Sequence, residues 1–319
     1  MTSTVKNVLV VALHAMVPLA LYFTYPWISE YHQNNLGRIL ILAIYASGYN
    51  LLLGYTGLLS LGHALYLAAG LYGAGLATTV LGFGTLGAFL IGVLSATLLA
   101  SLVGALALRT TGVAFMIVTL MFSQAGYLTI LYFNRITRGD EGFVVPRGDS
   151  IGGLPADIGN ADTRFIIALI LFAVCTALAL LLVQSNVGRV WRALADNEER
   201  VELLGYSPTH YKFLAFVLSG LMAGVAGAAY ALMFAYVGAS FATIQYSIFA
   251  LLWVLVGGAG VVLGPLLGTG IMFYLVDYIS ELTSAWLMFV GIALIILVMV
   301  APRGVLGTLR HKLDWHWLP

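Results

Sequence analysis

The sequence predicts an all-α polytopic membrane protein of about ten transmembrane helices, eight or nine if some Gly-rich stretches interrupt spans rather than join them. Three observations predict it. Only 8% of the 319 residues are charged and 61% are apolar, whereas about a quarter of a soluble domain is charged. No Asp, Glu, Lys or Arg occurs in the 70 residues between Arg38 and Arg109 or in the 64 between Lys212 and Asp277. The apolar runs are continuous and lack the alternation that barrel strands facing a wet lumen need. The first observation argues against a water-soluble enzyme, and the third favours helices over a closed barrel.

Cutting the chain at polar or Gly/Pro-rich turns places helices near 8–28, 37–56, 58–81, 86–108, 113–133, 165–184, 212–237, 243–262, 264–280 and 284–300. The first, Val8 to Ile28, is longer than the apolar core of a signal peptide and lacks a small-residue cleavage site, so it reads as a retained helix. Small residues four apart, at Gly84, Ala88 and Gly92, at Gly220 and Gly224, and at Gly260, Gly264 and Gly268, fit close helix packing. The stretches 54–62 and 257–268 are both Gly-dense. They read either as tight turns or as paired interruptions that border a transport route. A single transmembrane domain is thus expected to span 1–319.

Two polar segments break the apolar pattern. Residues 134–163 are rich in Gly and acidic residues, carry Pro146 and Pro155, and read as an external loop with short extended pieces. Residues 185–210 instead space Val190, Leu194, Val201, Leu203 and Leu204 between charges, then stop at Gly205 and Pro208. That spacing predicts a short amphipathic helix or two at the cytoplasmic surface, with a bland solvent loop as the competing reading. With the N-terminus inside, nine basic residues lie inside and five outside, which supports this orientation. The terminal RHKLDWHWLP reads as an interfacial anchor carrying Trp315 and Trp317.

Groups capable of chemistry are few. Cys175 is the only cysteine, so an internal disulfide and a cysteine-rich metal site are both excluded. His63 lies in a charge-free run, where a polar group must be paired or face water. Asp277 and Glu281 share one helix face near a span end, and a solvated helix end is favoured over a cation site or catalytic pair. There is no phosphate-binding loop of the Walker type, and a net charge of +1 is too small for a nucleic-acid partner.

Two stretches carry a resemblance. GYNLLLGYTGLLSLGHALYLAAGLYGAG, from Gly48 to Gly75, and RALADNEERVELLGYSPTHYKFLAFVLSGLMAGVAGAAYA, from Arg192 to Ala231, resemble the LivM-type permease subunit of the bacterial branched-chain amino acid ABC importer family. The Gly257 to Gly268 segment and the span layout are similar too. The resemblance implies a multi-pass subunit of the bacterial inner membrane that binds no cofactor, with ATP and magnesium held by two cytoplasmic ATPase partners. It also implies a second related permease of the LivH kind and an external substrate-binding protein. Carried onto this chain, Glu199 and Gly205 match the acidic and glycine positions of the ATPase-docking loop, while Arg200 and Val201 stand where two alanines are common.

The coupling element is therefore expected at Asn197 to Tyr206, with Glu198, Glu199, Arg200 and Glu202 meeting polar ATPase groups and Leu203 and Leu204 packed beneath, followed by Gly205. The route is expected at Thr56, Ser60 and His63, and at Gly257, Gly258, Gly260 and Gly264. The expected function is ATP-driven import of branched-chain or related amino acids. Related permeases for urea, amides or aromatic amino acids are the alternative. A lone ion-coupled transporter would need paired intramembrane carboxylates, which the charge-free runs oppose. A scaffold subunit docking a non-ATPase partner is the third class.

Overall fold

A computed structural model describes residues 3–146, 150–151, 154–155, 158–301 and 303–312. Its helices are α1 (Ser3–Thr24), α2 (Glu30–Thr56), α3 (His63–Thr79), α4 (Thr85–Ala107), α5 (Gly112–Tyr132), the single turn α6 (Asn134–Thr137), α7 (Ala161–Gln184), α8 (Asn186–Asp196), α9 (Glu198–Leu203), α10 (Pro208–Phe234), α11 (Ile244–Gly257), α12 (Gly264–Leu282), α13 (Trp286–Val300) and α14 (Gly304–Lys312). Strands are two residues long. β1 (Phe143–Val144) pairs antiparallel with β4 (Tyr236–Val237), and β2 (Ser150–Ile151) with β3 (Leu154–Pro155). Trp315 and Trp317 of the expected terminal anchor lie outside the described residues.

The fold is all-α, but six helices among the described residues, not ten, are long and apolar enough to cross a membrane: those at Leu9–Trp27, Glu30–Thr56, Thr85–Ala107, Gly112–Tyr132, Ala161–Gln184 and Pro208–Phe234. The shortfall has a physical cause. α3 begins only at His63, after the non-helical residues 57–62, and α11 only at Ile244, after a single 3-10 turn at Ala239–Ala242. α12 carries Asp277 and Glu281 near its end, and α13 has 15 residues. Elsewhere the boundaries of α4 and α5 fall within a residue of the sequence reading. α2 starts seven residues earlier than 37, since its polar first turns are tied by Tyr31 to Asp277 and by His32 Nδ1 to Tyr274 Oη at 3.0 Å on α12.

These ties define two ends of the bundle. At the loop end, the start of α2 meets the end of α12, and Tyr25 Oη donates to Asp162 at the start of α7 at 2.8 Å. At the connector end, Gly57 lies against Ala195 of α8. α2 therefore runs the full depth between them and is buried on all sides from Ile39 to Leu52, whereas α1 and α5 expose most of their length. The chain then doubles back: the His63 ring sits 4.9 Å from that of Tyr49 and 5.8 Å from that of Tyr45, so α3 starts well inside the bundle and runs to the loop end.

The second half repeats this inversely. α10 ends at the loop end, β4 pairs there with β1, and residues 238–243 return inward to α11. Tyr45 Oη donates to Tyr246 O at 3.1 Å, and Ala64 N to Ser247 Oγ at 2.9 Å, so α3 and α11 start side by side and run to opposite ends. The interruption matching 57–62 is thus 238–243, and not the 257–268 stretch that shares its glycines.

Where three helices meet at the centre, side chains have been removed. A Cβ on Gly227 of α10 would stand 2.0 Å from Leu67 O of α3, and one on Gly92 of α4 would stand 2.6 Å from Gly70 O. Both approaches are closer than any side chain permits, so backbone packs on backbone, which is how helices gain dispersion energy where lipid offers no hydrophobic drive. Gly220 and Gly224 take part in this contact, but Gly84 faces open space and so lies outside its expected ridge.

Candidate functional site

At the connector end, α7 stops at Ser185, whose Oγ accepts from Gly188 N at 3.4 Å and so starts α8. α8 is amphipathic, burying Val190, Trp191 and Leu194. Trp191 is fully buried and its Nε1 donates to Tyr211 O of α10 at 2.9 Å, while Arg192 Nη2 donates to Val183 O at 3.3 Å. The connector is thereby fixed to the ends of both α7 and α10. Arg192 also satisfies a carbonyl in the last turn of α7, which the helix would otherwise leave bare.

Asn197 caps α9, its Oδ1 accepting from Arg200 N at 2.9 Å. Val201 alone of α9 faces inward, 2% exposed. Glu199, Arg200 and Glu202 are exposed, and Glu198, also exposed, forms an ion pair with Lys212 at 2.6 Å. Leu203 and Leu204 are not packed beneath the helix: they are 87% and 74% exposed, with Tyr206 beside them. Leu203, two residues beyond the inward Val201, falls on the opposite face of the helix, and Leu204 already lies past its end as the C-cap. Gly205, at φ +86, then reverses the chain with nothing within 4 Å of where a Cβ would stand. A recess of about 460 Å3 opens between α8, α9 and α10, edged by Arg189, Val201, Leu204 and Tyr206.

The expected route residues lie together but are packed. Thr56 Oγ1 donates to Leu52 O, Ser60 Oγ accepts from Gly62 N, and Ser60 O accepts from Tyr49 Oη at 2.7 Å. Leu61 N donates to Thr119 Oγ1 of α5 at 3.2 Å. Non-helical backbone at this depth is thus satisfied by side chains from other helices, as an apolar surrounding requires. His63 is fully buried. Ser219 Oγ spends its one hydrogen on Gly48 O, so it accepts from His63 Nε2 at 2.8 Å, which fixes the proton on Nε2 and leaves Nδ1 without a partner.

The second break is tied to α2 through a residue the sequence reading passed over. Asn50 Oδ1 accepts from Gly260 N at 3.0 Å, and its Nδ2 donates to Val261 O at 2.9 Å, so one carboxamide completes the turn between α11 and α12. Gly257 and Gly264 are buried against each other, and Gly258 lies against Gly304 and Gly307. The signal was present: Asn50 is the single carboxamide in residues 39–108. Nothing in local pattern, however, names its partner 210 residues away. Among the described residues no group of three or more His, Cys, Asp or Glu side chains could hold a metal ion.

A bundle of membrane-length helices, with interruptions paired inside it and a capped connector fixed across one end, defines a multi-pass transport protein. The chain belongs to the family described as branched-chain amino acid transport system / permease component, which matches residues 32–299. It is 27% identical over 295 residues to the high-affinity branched-chain amino acid transport system permease protein LivM of Escherichia coli K12, covering 86% of this chain and 69% of that one. It is 26% identical to LivM of Salmonella typhimurium, over 98% and 77% of the respective lengths. Permease protein LivH of Escherichia coli K12 is 30% identical over 149 residues, 44% of this chain and 46% of that one. No solved structure matches significantly.

Proposed function

We propose that this chain is a membrane-spanning permease subunit of an ATP-driven importer for branched-chain or related amino acids in the bacterial inner membrane. It works with a second related permease, two cytoplasmic ATPase subunits and an external binding protein. On this reading the connector end is cytoplasmic, the 134–163 loop is external, and α3, α11, α12 and α13 complete ten passes. The subunit performs no covalent chemistry; ATP and magnesium belong to its partners.

One observation carries the reading: a capped helix presents Leu203, Leu204 and Tyr206 to solvent around Gly205 while its own base is held rigidly. Covering two leucines yields about 1.5–3 kcal/mol each, and a groove in an ATPase supplies that cover. Closure of the ATPases then moves α9. Val201, the Trp191–Tyr211 bond and the Gly57–Ala195 contact pass the displacement to α10 and to the break at Thr56 to His63. Both that break and Gly257 to Gly264 border the route and are linked through α2, which ends at the first and holds the second through Asn50.

The test is co-purification with ATPase subunits and measurement of solute-stimulated ATP hydrolysis. Glu199→Arg and Gly205→Pro are expected to abolish stimulation and uptake. Unchanged uptake in both, or transport by the lone chain in liposomes without nucleotide, overturns the assignment.

A further inference from the structure

At the loop end, α2, α10, α11 and α12 line an open cavity of about 200 Å3. This is below the roughly 300–1,000 Å3 of drug-sized ligand sites and leaves room for a small metabolite only. Phe249, Trp253 and Met272 form an apolar wall, with Trp253 and Met272 buried. Two side chains of opposite charge also line it, Arg38 from α2 and Asp277 from α12. Neither forms an ion pair among the described residues.

Each charge is held in place by something that leaves it available. The Arg38 guanidinium lies over the Phe234 ring, 5.3 Å from its centre, and its N–H groups have no acceptor among the described residues. Asp277 Oδ2 accepts from Tyr31 Oη, and Oδ1 has no partner there. Arg38 is exposed and Asp277 half-buried, and the two do not pair with each other, so both are accessible from the cavity. A molecule carrying both opposite charges satisfies the two at once.

We propose that this cavity binds the zwitterion of an α-amino acid, its carboxylate on Arg38, its ammonium on Asp277 and an apolar side chain against Phe249, Trp253 and Met272. The proposal deepens the permease reading and rests on it, placing the site on the external side. A lipid such as phosphatidylethanolamine carries the same pair of charges, and the experiment separates the two sources.

The probe is radiolabelled leucine binding to the full-length chain within its membrane complex, without the external binding protein, in nanodiscs of phosphatidylglycerol. Leucinamide lacks the carboxylate and 2-hydroxyisocaproate lacks the ammonium, so each is expected to compete at least tenfold more weakly than leucine. Arg38→Gln is expected to abolish the amide's disadvantage alone, and Asp277→Asn the hydroxy acid's alone, while Arg38→Lys and Asp277→Glu keep both. If the neutral variants fail to fold, the unsubstituted protein still answers, because leucine is expected to protect Asp277 from carbodiimide labelling. Absent leucine binding, analogue penalties that neither variant alters, or absent protection overturns the site. So does leucine binding suppressed in phosphatidylethanolamine nanodiscs, which assigns the cavity to lipid. ATP-driven uptake by the complete wild-type importer reports separately on the permease reading: its loss with leucine binding intact condemns that reading and spares the site.

Discussion

The connector and the two interior breaks are both departures from regular membrane helix, yet they are built on opposite terms. The breaks are closed systems in which carbonyls and amides are consumed by Tyr49, Ser60, Thr119 and Asn50, and glycines let backbone touch backbone. The connector is closed only at its base, through Trp191, Asn197 and Val201, and its tip is open. An apolar surrounding makes a bare polar group costly, and few such as His63 Nδ1 are left among the described residues, whereas water tolerates a bare leucine at modest cost. Stability is therefore concentrated in the interior, and freedom to engage a partner in the connector.

That contrast breaks most severely if a close contact in the interior can be filled without harm. Gly227→Leu forces a side chain into a space where even a Cβ stands 2.0 Å from Leu67 O. Overpacking costs typically 1–3 kcal/mol where neighbours can shift, and backbone cannot shift as side chains do. The variant is expected to yield no monodisperse protein by size exclusion in mild detergent. Next comes Asn50→Leu, which strands Gly260 N and Val261 O at about 1–3 kcal/mol for each buried group. A lowered thermal midpoint is expected, and uptake falls with it. Asn50→Asp, which retains the acceptor for Gly260 N, is expected to lie between the two.

At the connector the signs separate. Leu203→Ala with Leu204→Ala removes only exposed surface, so the melting temperature is expected to stay that of the wild type. Uptake is expected to fall about tenfold or more, because 1.4 kcal/mol of lost docking energy is already tenfold. A parallel loss of stability and uptake would show that the tip is part of the core after all.

The same contrast explains what could be read beforehand. The connector was legible because water imposes a period: Val190, Leu194 and Val201 stand out among charges, and Asn197 and Gly205 punctuate them. Only the last turn of α9 was misjudged, its phase at Leu203 and its end before Leu204, sending both inward. The interior was legible as membrane, and α4 and α5 nearly to the residue, since uniform apolar helices need no partner to declare their ends. The breaks were not. Composition paired 54–62 with 257–268 through their glycines, whereas topology pairs 57–62 with 238–243, a stretch with one glycine, Gly238. What holds such backbone is a hydroxyl or carboxamide arriving from a distant helix, as Ser247 reaches Ala64 and Ser219 reaches His63, and a lone polar residue in an apolar run announces that it has a partner without naming it. The Arg38 and Asp277 cavity was hidden likewise, its charges sitting at two span ends far apart in sequence.

The smallest effect sharpens the comparison furthest. Glu198 and Lys212 form a short ion pair joining α9 to α10, and it is tempting to credit it with holding the connector in place. Glu198 is 46% exposed on its side chain, so water and salt screen the pair. Exposed pairs contribute about 0.2–1 kcal/mol, less than one buried hydrogen bond of the Trp191 kind with its packed ring. Glu198→Gln is therefore expected to shift the thermal midpoint by no more than a degree or two, and less still as ionic strength rises. Trp191→Ala, which empties a fully buried indole site, is expected to cost about 3–5 kcal/mol. If Glu198→Gln instead matched Trp191→Ala, the connector's base would be electrostatic rather than packed, and force from α9 would reach α10 through a contact that salt could switch off.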